Sequence, residues 1–177
     1  MVIPKRFKEA SLDNFRTRTK VDKEIVAHLQ TELKNNTIIL GGVGIGKTHL
    51  AWALYRSKET EVEIKGELVK INNTVKITTI KEIVDDIRSG WKTGKSNIED
   101  YKNIPILIVD ELGVQYGSDS EKIELFEVFN YRYNEMLPTV AISNLNKEQI
   151  KIALGLRIYD RLFGGAKVFE LYGESER

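Results

Sequence analysis

Positions 41–48 read Gly41-Gly42-Val43-Gly44-Ile45-Gly46-Lys47-Thr48, an instance of G-x4-G-K-[ST], and no other feature restricts the fold of this chain so tightly. Such a loop works at the junction of a strand and a helix. Several backbone N–H groups must point at one polyphosphate, glycines let the main chain wrap closely without a Cβ in the way, and the following helix adds the positive end of its dipole. The flanks agree with that demand. Thr37 to Leu40 is a short apolar strand ending at glycines, and Thr48 to Arg56 spaces Leu50, Ala53 and Leu54 along one helix face. Lys47 is thereby placed to reach the β and γ phosphates of ATP, and the Thr48 hydroxyl to ligate Mg²⁺. His49 follows directly and counts among the nucleotide-contacting candidates, with helix packing as the plainer reading.

The remaining pattern alternates short apolar runs with helix-like stretches, which is how a parallel sheet with crossover helices reads. Glu67 to Ile71 and Val75 to Thr78 look like two strands joined at Asn72–Asn73. Ile80 to Arg88 reads as a helix, as does Glu121 to Tyr133, the latter with Ile123, Phe126, Val128 and Phe129 facing mostly inward. Ile106 to Val109 is apolar throughout, as expected of a central strand covered on both faces. It ends in Asp110-Glu111, the Walker B pattern: Asp110 is placed beside Mg²⁺, and Glu111 is placed to polarise the attacking water as general base. Thr139 to Ser143 is another short strand, and Asn144 after it stands where a reader of the γ-phosphate belongs, although a plain turn residue fits there too. Residues 1–146 then form an α/β core and 147–177 a small helical lid, within one domain of 177 residues.

Composition removes other chemistries. The chain has no cysteine, which excludes disulfides, thiolate metal sites and thiol nucleophiles, and only His28 and His49 could supply imidazole. Lys and Arg number 27 against 26 Asp and Glu, a balance unlike that of a constitutive nucleic-acid coat protein. Ile104 to Val109, six apolar residues including a proline, falls far short of the ~20 needed for a membrane span, and no secretory signal is visible. A cytoplasmic location and no membrane partner are expected.

The stretches Ile106 to Gln115 (ILIVDELGVQ) and Gly46 to Ala51 (GKTHLA) resemble the ATPase domain of bacterial and phage replicative helicase loaders of the DnaC/DnaI type, within the AAA+ superfamily. Ile3-Pro4-Lys5-Arg6-Phe7 and Leu12-Asp13-Asn14-Phe15 look like the lead-in to that domain, and the likeness runs nearly end to end. It implies a three-layer AAA+ core and an ATPase that turns ATP into ADP and phosphate. It implies that Asn144 is sensor 1, that Arg161 on the segment Leu156 to Leu162 is an arginine finger acting on a neighbouring subunit, and that Arg177 is sensor 2. Arg157, one helical turn before Arg161, could share the finger's role. Self-association through that arginine face, a hexameric replicative helicase and single-stranded DNA are the implied partners. Trp91, flanked by Lys92 and Lys95, and the serines Ser118 and Ser120 stand where loaders of this type meet DNA, and a stacked base beside a neutralised phosphate is the chemistry such residues offer. A packing role for Trp91 weighs equally. Full-length loaders carry a further N-terminal domain that grips the helicase, and the expectation is that this chain holds no such domain.

Three other readings compete. An IstB-type transposition helper shares these motifs but acts on duplex DNA with a transposase. A small-molecule kinase is disfavoured by the Asp110–Glu111 pair and the tail arginines, and a nucleotide-binding switch without turnover stays open.

Overall fold

The computed structural model describes residues 2–64, 67–94, 96–113 and 118–173. After a single 3-10 turn at Lys5–Phe7, the chain runs through α1 (Lys20–Leu29), β1 (Thr37–Gly41), α2 (Lys47–Ser57), β2 (Thr60–Ile64), β3 (Glu67–Ile71) and β4 (Val75–Thr79). It continues through α3 (Ile80–Thr93), α4 (Ile98–Asn103), β5 (Ile106–Asp110), α5 (Asp119–Asn134), β6 (Thr139–Ser143), α6 (Lys147–Leu154), α7 (Leu156–Phe163) and β7 (Lys167–Leu171).

Five strands form one parallel sheet in the order β4-β5-β6-β1-β7. Successive side chains of a strand point to opposite faces, so a strand covered on both faces must be apolar at every position. Ile39, Ile108, Val140 and Ile142 enter a core with Ile25 and Leu29 of α1 and Leu50 and Leu54 of α2. Their neighbours Ile38, Leu40, Leu107, Val109 and Ala141 enter a second core, with Ile83 and Ile87 of α3, Leu125 and Phe129 of α5, Ile150 and Leu154 of α6, and Ile158 and Leu162 of α7. The result is the three-layer α/β arrangement that the apolar strands demand, with β5 an inner strand between β4 and β6.

Four helices start in reciprocal capping boxes, at Thr19/Asp22, Thr79/Glu82, Ser118/Glu121 and Asn146/Gln149. The exception of consequence is α2. Its N-cap is Gly46, in a left-handed conformation (φ 98°) and without a side-chain cap, so its first-turn N–H groups are not claimed by a capping side chain.

The structure departs from the sequence reading in several places. The segment from Lys147 is not purely helical. After α6 and α7, β7 pairs in parallel with β1 at the sheet edge, Phe169 and Leu171 turning inward, while α6 and α7 supply core residues instead of standing apart as a lid. The strands at Glu67 and Val75 do not join into one sheet. β3 pairs antiparallel with β2, a strand that the alternation of Glu61, Val62, Glu63 and Ile64 signals and the sequence reading left out, and β4 returns to the main sheet. Asn72 makes that turn: its Oδ1 accepts from Thr74 N (3.0 Å) and Val75 N (2.9 Å), and its Nδ2 donates to Tyr55 O. α3 extends to Thr93, so Trp91 lies within the helix, and Ile123 is 62% exposed while Leu125 faces the core.

At the opposite end of the sheet from the glycine loop, Arg132 is 1% exposed. It donates to the carbonyls of Tyr101, Lys102, Ile104, Pro105 and Pro138 and to the Thr139 hydroxyl, at 2.7–3.4 Å. This ties the entry into β5 to the entry into β6. Burial pulls its pKa down to about 9, which still leaves a cation at neutral pH. Arg132→Leu strands several buried carbonyls without donors and should cost ~3–5 kcal/mol. Urea unfolding followed by circular dichroism checks this, and a loss below about 1 kcal/mol would contradict the role assigned to the cluster.

Candidate functional site

The parallel sheet delivers the ends of β1, β5 and β6 to one edge, and the motif residues sit there. Gly41 closes β1 at φ 148°, where a Cβ would meet the Leu171 carbonyl at 2.5 Å. At Gly46 a Cβ would come 2.7 Å from the Phe15 ring, so the left-handed turn into α2 admits glycine alone without rearrangement. Lys47 follows with 6% exposure. Its Nζ donates to Gly41 O (2.7 Å), Gly42 O (2.5 Å) and Asn144 Oδ1 (2.6 Å). Thr48 Oγ1 donates to Asp110 Oδ2 at 2.9 Å, and Asp110 Oδ1 accepts from Glu111 N, also at 2.9 Å. Glu111 is exposed and takes a left-handed backbone (φ 57°), uncommon for a residue other than glycine, asparagine or aspartate.

These groups border a single open cavity of about 440 Å³. Val43, Gly44, Gly46, Lys47 and Thr48 form one wall, Asp110, Glu111, Ile142, Ser143 and Asn144 the facing one, and Arg6, Phe7 and His49 the remainder. Lys47, Thr48, Asp110, Glu111 and Asn144 are thus brought together from three segments. A hydroxyl and a carboxylate 2.9 Å apart are hard oxygen donors suited to Mg²⁺, which ordinarily takes only one or two protein ligands beside phosphate and water. Among the described residues no group of three or more His, Asp or Glu forms a closed metal cage.

Of the other candidates, only His49 reaches the cavity among the described residues. His49 borders the cavity and also packs, its Nε2 lying 3.0 Å from Asn14 Oδ1 and 3.2 Å from Ser11 O. His28 lies against Thr37 and Phe169, and burial, helped by Lys167, lowers its pKa. Arg157 lies 4.5 Å over the Phe126 ring, and Arg161 lies 4.8 Å over Tyr133 while donating to Asn130 Oδ1. Both pack on α5, away from the cavity of their own chain. Trp91 is 53% exposed, one turn beyond Arg88, whose guanidinium binds Glu121 across from α3 to α5. Ser118 caps α5 through that same Glu121, and Ser120 is exposed on its first turn, so the DNA-contact candidates share one flank. Lys95, Val114 to Gly117 including Gln115, and Glu174 to Arg177 including the sensor 2 candidate lie outside the described residues.

Sequence reasoning passed over four cavity residues, Arg6, Phe7, Ile142 and Ser143. Arg6 and Phe7 arrive through the 3-10 turn, with Phe7 stacked on Trp52 of α2 at 6.2 Å; their only signal was membership of the lead-in segment. Ser143 was read merely as the end of a strand.

Residues 4–177 match the family described as IstB-like ATP binding protein. The chain belongs to that family. Among curated proteins it is similar to the replicative helicase loader DnaC of Escherichia coli (strain K12), 30% identical over 139 residues, covering 76% of this chain and 53% of that protein. The DnaC of Buchnera aphidicola subsp. Baizongia pistaciae is 27% identical over 168 residues, covering 88% of this chain and 64% of that protein. The chain therefore spans about half the length of the E. coli relative. Among solved structures it resembles the DnaC helicase loader (TM-score 0.76, 20% identity, 96% of this chain and 100% of the other) and DnaI (0.75, 20%, 97% and 96%). It also resembles AMPPCP-bound DnaA from Aquifex aeolicus (0.74, 21%, 93% and 50%). At such identities the likeness is one of fold, the three-layer α/β arrangement these neighbours share with this chain. For a member of a family named for ATP binding, the cavity at Lys47 is the candidate nucleotide site. Among the described residues no helix is long and apolar enough to cross a membrane.

Proposed function

We propose that this chain is an ATP-hydrolysing AAA+ module of the replicative helicase loader type, which assembles with copies of itself and touches single-stranded DNA while helping to place a ring helicase. The observation that carries the chemistry is the convergence of Lys47, Thr48, Asp110, Glu111 and Asn144 on one cavity. Lys47 and the loop N–H groups hold the β and γ phosphates. Thr48 and Asp110 hold Mg²⁺, which when bound neutralises phosphate charge. Glu111 accepts the proton of the attacking water, and Asn144, exchanging Lys47 for a γ-phosphate oxygen, orients the group being lost. The curated DnaC relatives support the loader reading, and the family description favours a second one, an IstB-type transposition helper. ATP hydrolysis measured without DNA, with single strands and with duplex, each with and without a purified replicative helicase, decides between them. Stimulation by duplex alone and indifference to the helicase would overturn the loader reading.

Lys47→Ala should abolish most ATP affinity, because its charge acts on the bound nucleotide, whereas Glu111→Gln should bind ATP normally and not turn over. A fluorescent ATP analogue and a phosphate-release assay separate the two, and wild-type turnover by Glu111→Gln would remove Glu111 as base. Arg157 and Arg161 point away from their own cavity, which suits arginines that complete a neighbour's site. On that reading Arg161→Ala loses turnover more than binding, and mixing it with Lys47→Ala restores part of the activity, since a mixed assembly contains a site with both groups intact. Light scattering confirms assembly in the mixture, and the absence of rescue at every ratio would refute the trans role.

Trp91, half exposed beside Lys92, suits base stacking. Trp91→Ala should weaken binding of a single-stranded oligonucleotide by ~1–3 kcal/mol at fixed salt and leave the thermal melt within a few degrees of wild type. Unchanged DNA affinity would send the search for the DNA path to Ser118 and Ser120.

A further inference from the structure

The ladder between β5 and β6 ends at Val109 and Ala141, short of the residues that do the proposed chemistry. Beyond it the two chain segments stay joined by other means. Leu112 N donates to Ile142 O at 2.8 Å, and the Ser143 hydroxyl donates to Leu112 O at 2.6 Å. That same hydroxyl oxygen accepts from Leu145 N at 3.0 Å. Both backbone polar groups of Leu112 are thus held by β6, and Leu112 is itself 1% exposed. The next residue, Gly113, has φ 94° and lies so close to Leu145 that a Cβ would come within 2.7 Å of its Cδ1.

We infer that Ser143 is a positioning residue, whose hydroxyl clamps Leu112 so that Glu111 is held in its left-handed backbone and stays in register with Asn144. The residues concerned are adjacent in pairs: Glu111 precedes the clamped Leu112, and Asn144 follows Ser143. Glu111 gains nothing locally from φ 57° beyond the bond from its own N–H to Asp110 Oδ1. A left-handed conformation disfavours a side chain with a Cβ, so it persists where neighbours enforce it. The clamp on Leu112 is that enforcement. Direct contact with phosphate is not open to Ser143, which is 1% exposed and spends its proton on Leu112 and its oxygen on Leu145. Packing alone would be served by an apolar residue like its β6 neighbours Val140, Ala141 and Ile142. Because Asn144 also receives Lys47, the clamp ties the base, the sensor and the loop lysine into one arrangement.

The inference rests on the reading of Glu111 as general base, and its test separates the two. Ser143→Ala should bind a fluorescent ATP analogue within about twofold of wild type while its kcat falls by about 10–100-fold, the loss that accompanies a misplacement of about 1 Å. Ser143→Thr, which keeps the hydroxyl, should recover most of that rate. Against the residual rate that a long single-turnover incubation detects in Glu111→Gln, Ser143→Ala should add no further loss, because it acts through the residue already removed. Independently of turnover, amide hydrogen exchange at Glu111 and Leu112 should quicken in Ser143→Ala, although neither N–H bonds to Ser143. Should that variant be too unstable to assay, Ser143→Cys, with similar volume and weaker hydrogen bonds, carries the same forecast. Wild-type kcat in Ser143→Ala, a full additional loss on top of Glu111→Gln, or unchanged exchange at Leu112 would each overturn the inference. If the wild-type protein binds ATP and does not hydrolyse it, the reading of Glu111 as base fails, and the exchange measurement still decides whether Ser143 holds the loop.

Discussion

A lysine ammonium buried to 6% exposure opens α2 just beyond β1, held by the oxygens of Gly41, Gly42 and Asn144. Burying a charge is tolerable only where hydrogen bonds replace water, and much of the architecture serves that requirement. The loop must bend its carbonyls back toward Lys47, which calls for glycine at Gly41 and Gly46. α2 must start at a residue with no capping side chain. β6 must run beside β1, so that Asn144 arrives from 97 residues away.

The sheet satisfies the last condition through hydrophobicity. Strands with apolar residues on both faces are stable only between two layers of helices, and two layers require parallel strands linked by crossovers. Parallel strands put all their C-terminal ends at one edge, so Lys47, Asp110, Glu111 and Asn144 meet there because of how the core is covered. The other edge has its own buried cation in Arg132, caged by carbonyls, and the two buried cations mark the two ends of the sheet.

The family is named for ATP binding and the curated relatives for loading a replicative helicase, two descriptions that concern different parts of a molecule. That separation is physically reasonable. On the proposed reading phosphate binding takes eight consecutive residues and two strand ends, whereas partner choice would rest on exposed surfaces such as the flank of Trp91, Ser118 and Ser120, where sequence varies at little cost to folding.

The sequence by itself determined the loop, the strands at Thr37, Ile106 and Thr139, and the acidic pair after Val109. Each is a local pattern: a glycine spacing, a run of apolar residues, a carboxylate at a strand end. Only the tertiary structure decided that β7 completes the sheet beside β1, that β2 and β3 form a sheet of their own, and that α6 and α7 belong to the core. A five-residue strand such as Lys167–Leu171 carries too little periodicity to announce its partner, and the pairing is settled by Phe169 and Leu171 packing against residues more than a hundred positions earlier. Nor could any local pattern reveal Ser143 on Leu112 or Arg132 among its carbonyls. There the partners are backbone oxygens, which every residue type possesses, and only the folded path of the chain selects which of them a side chain meets.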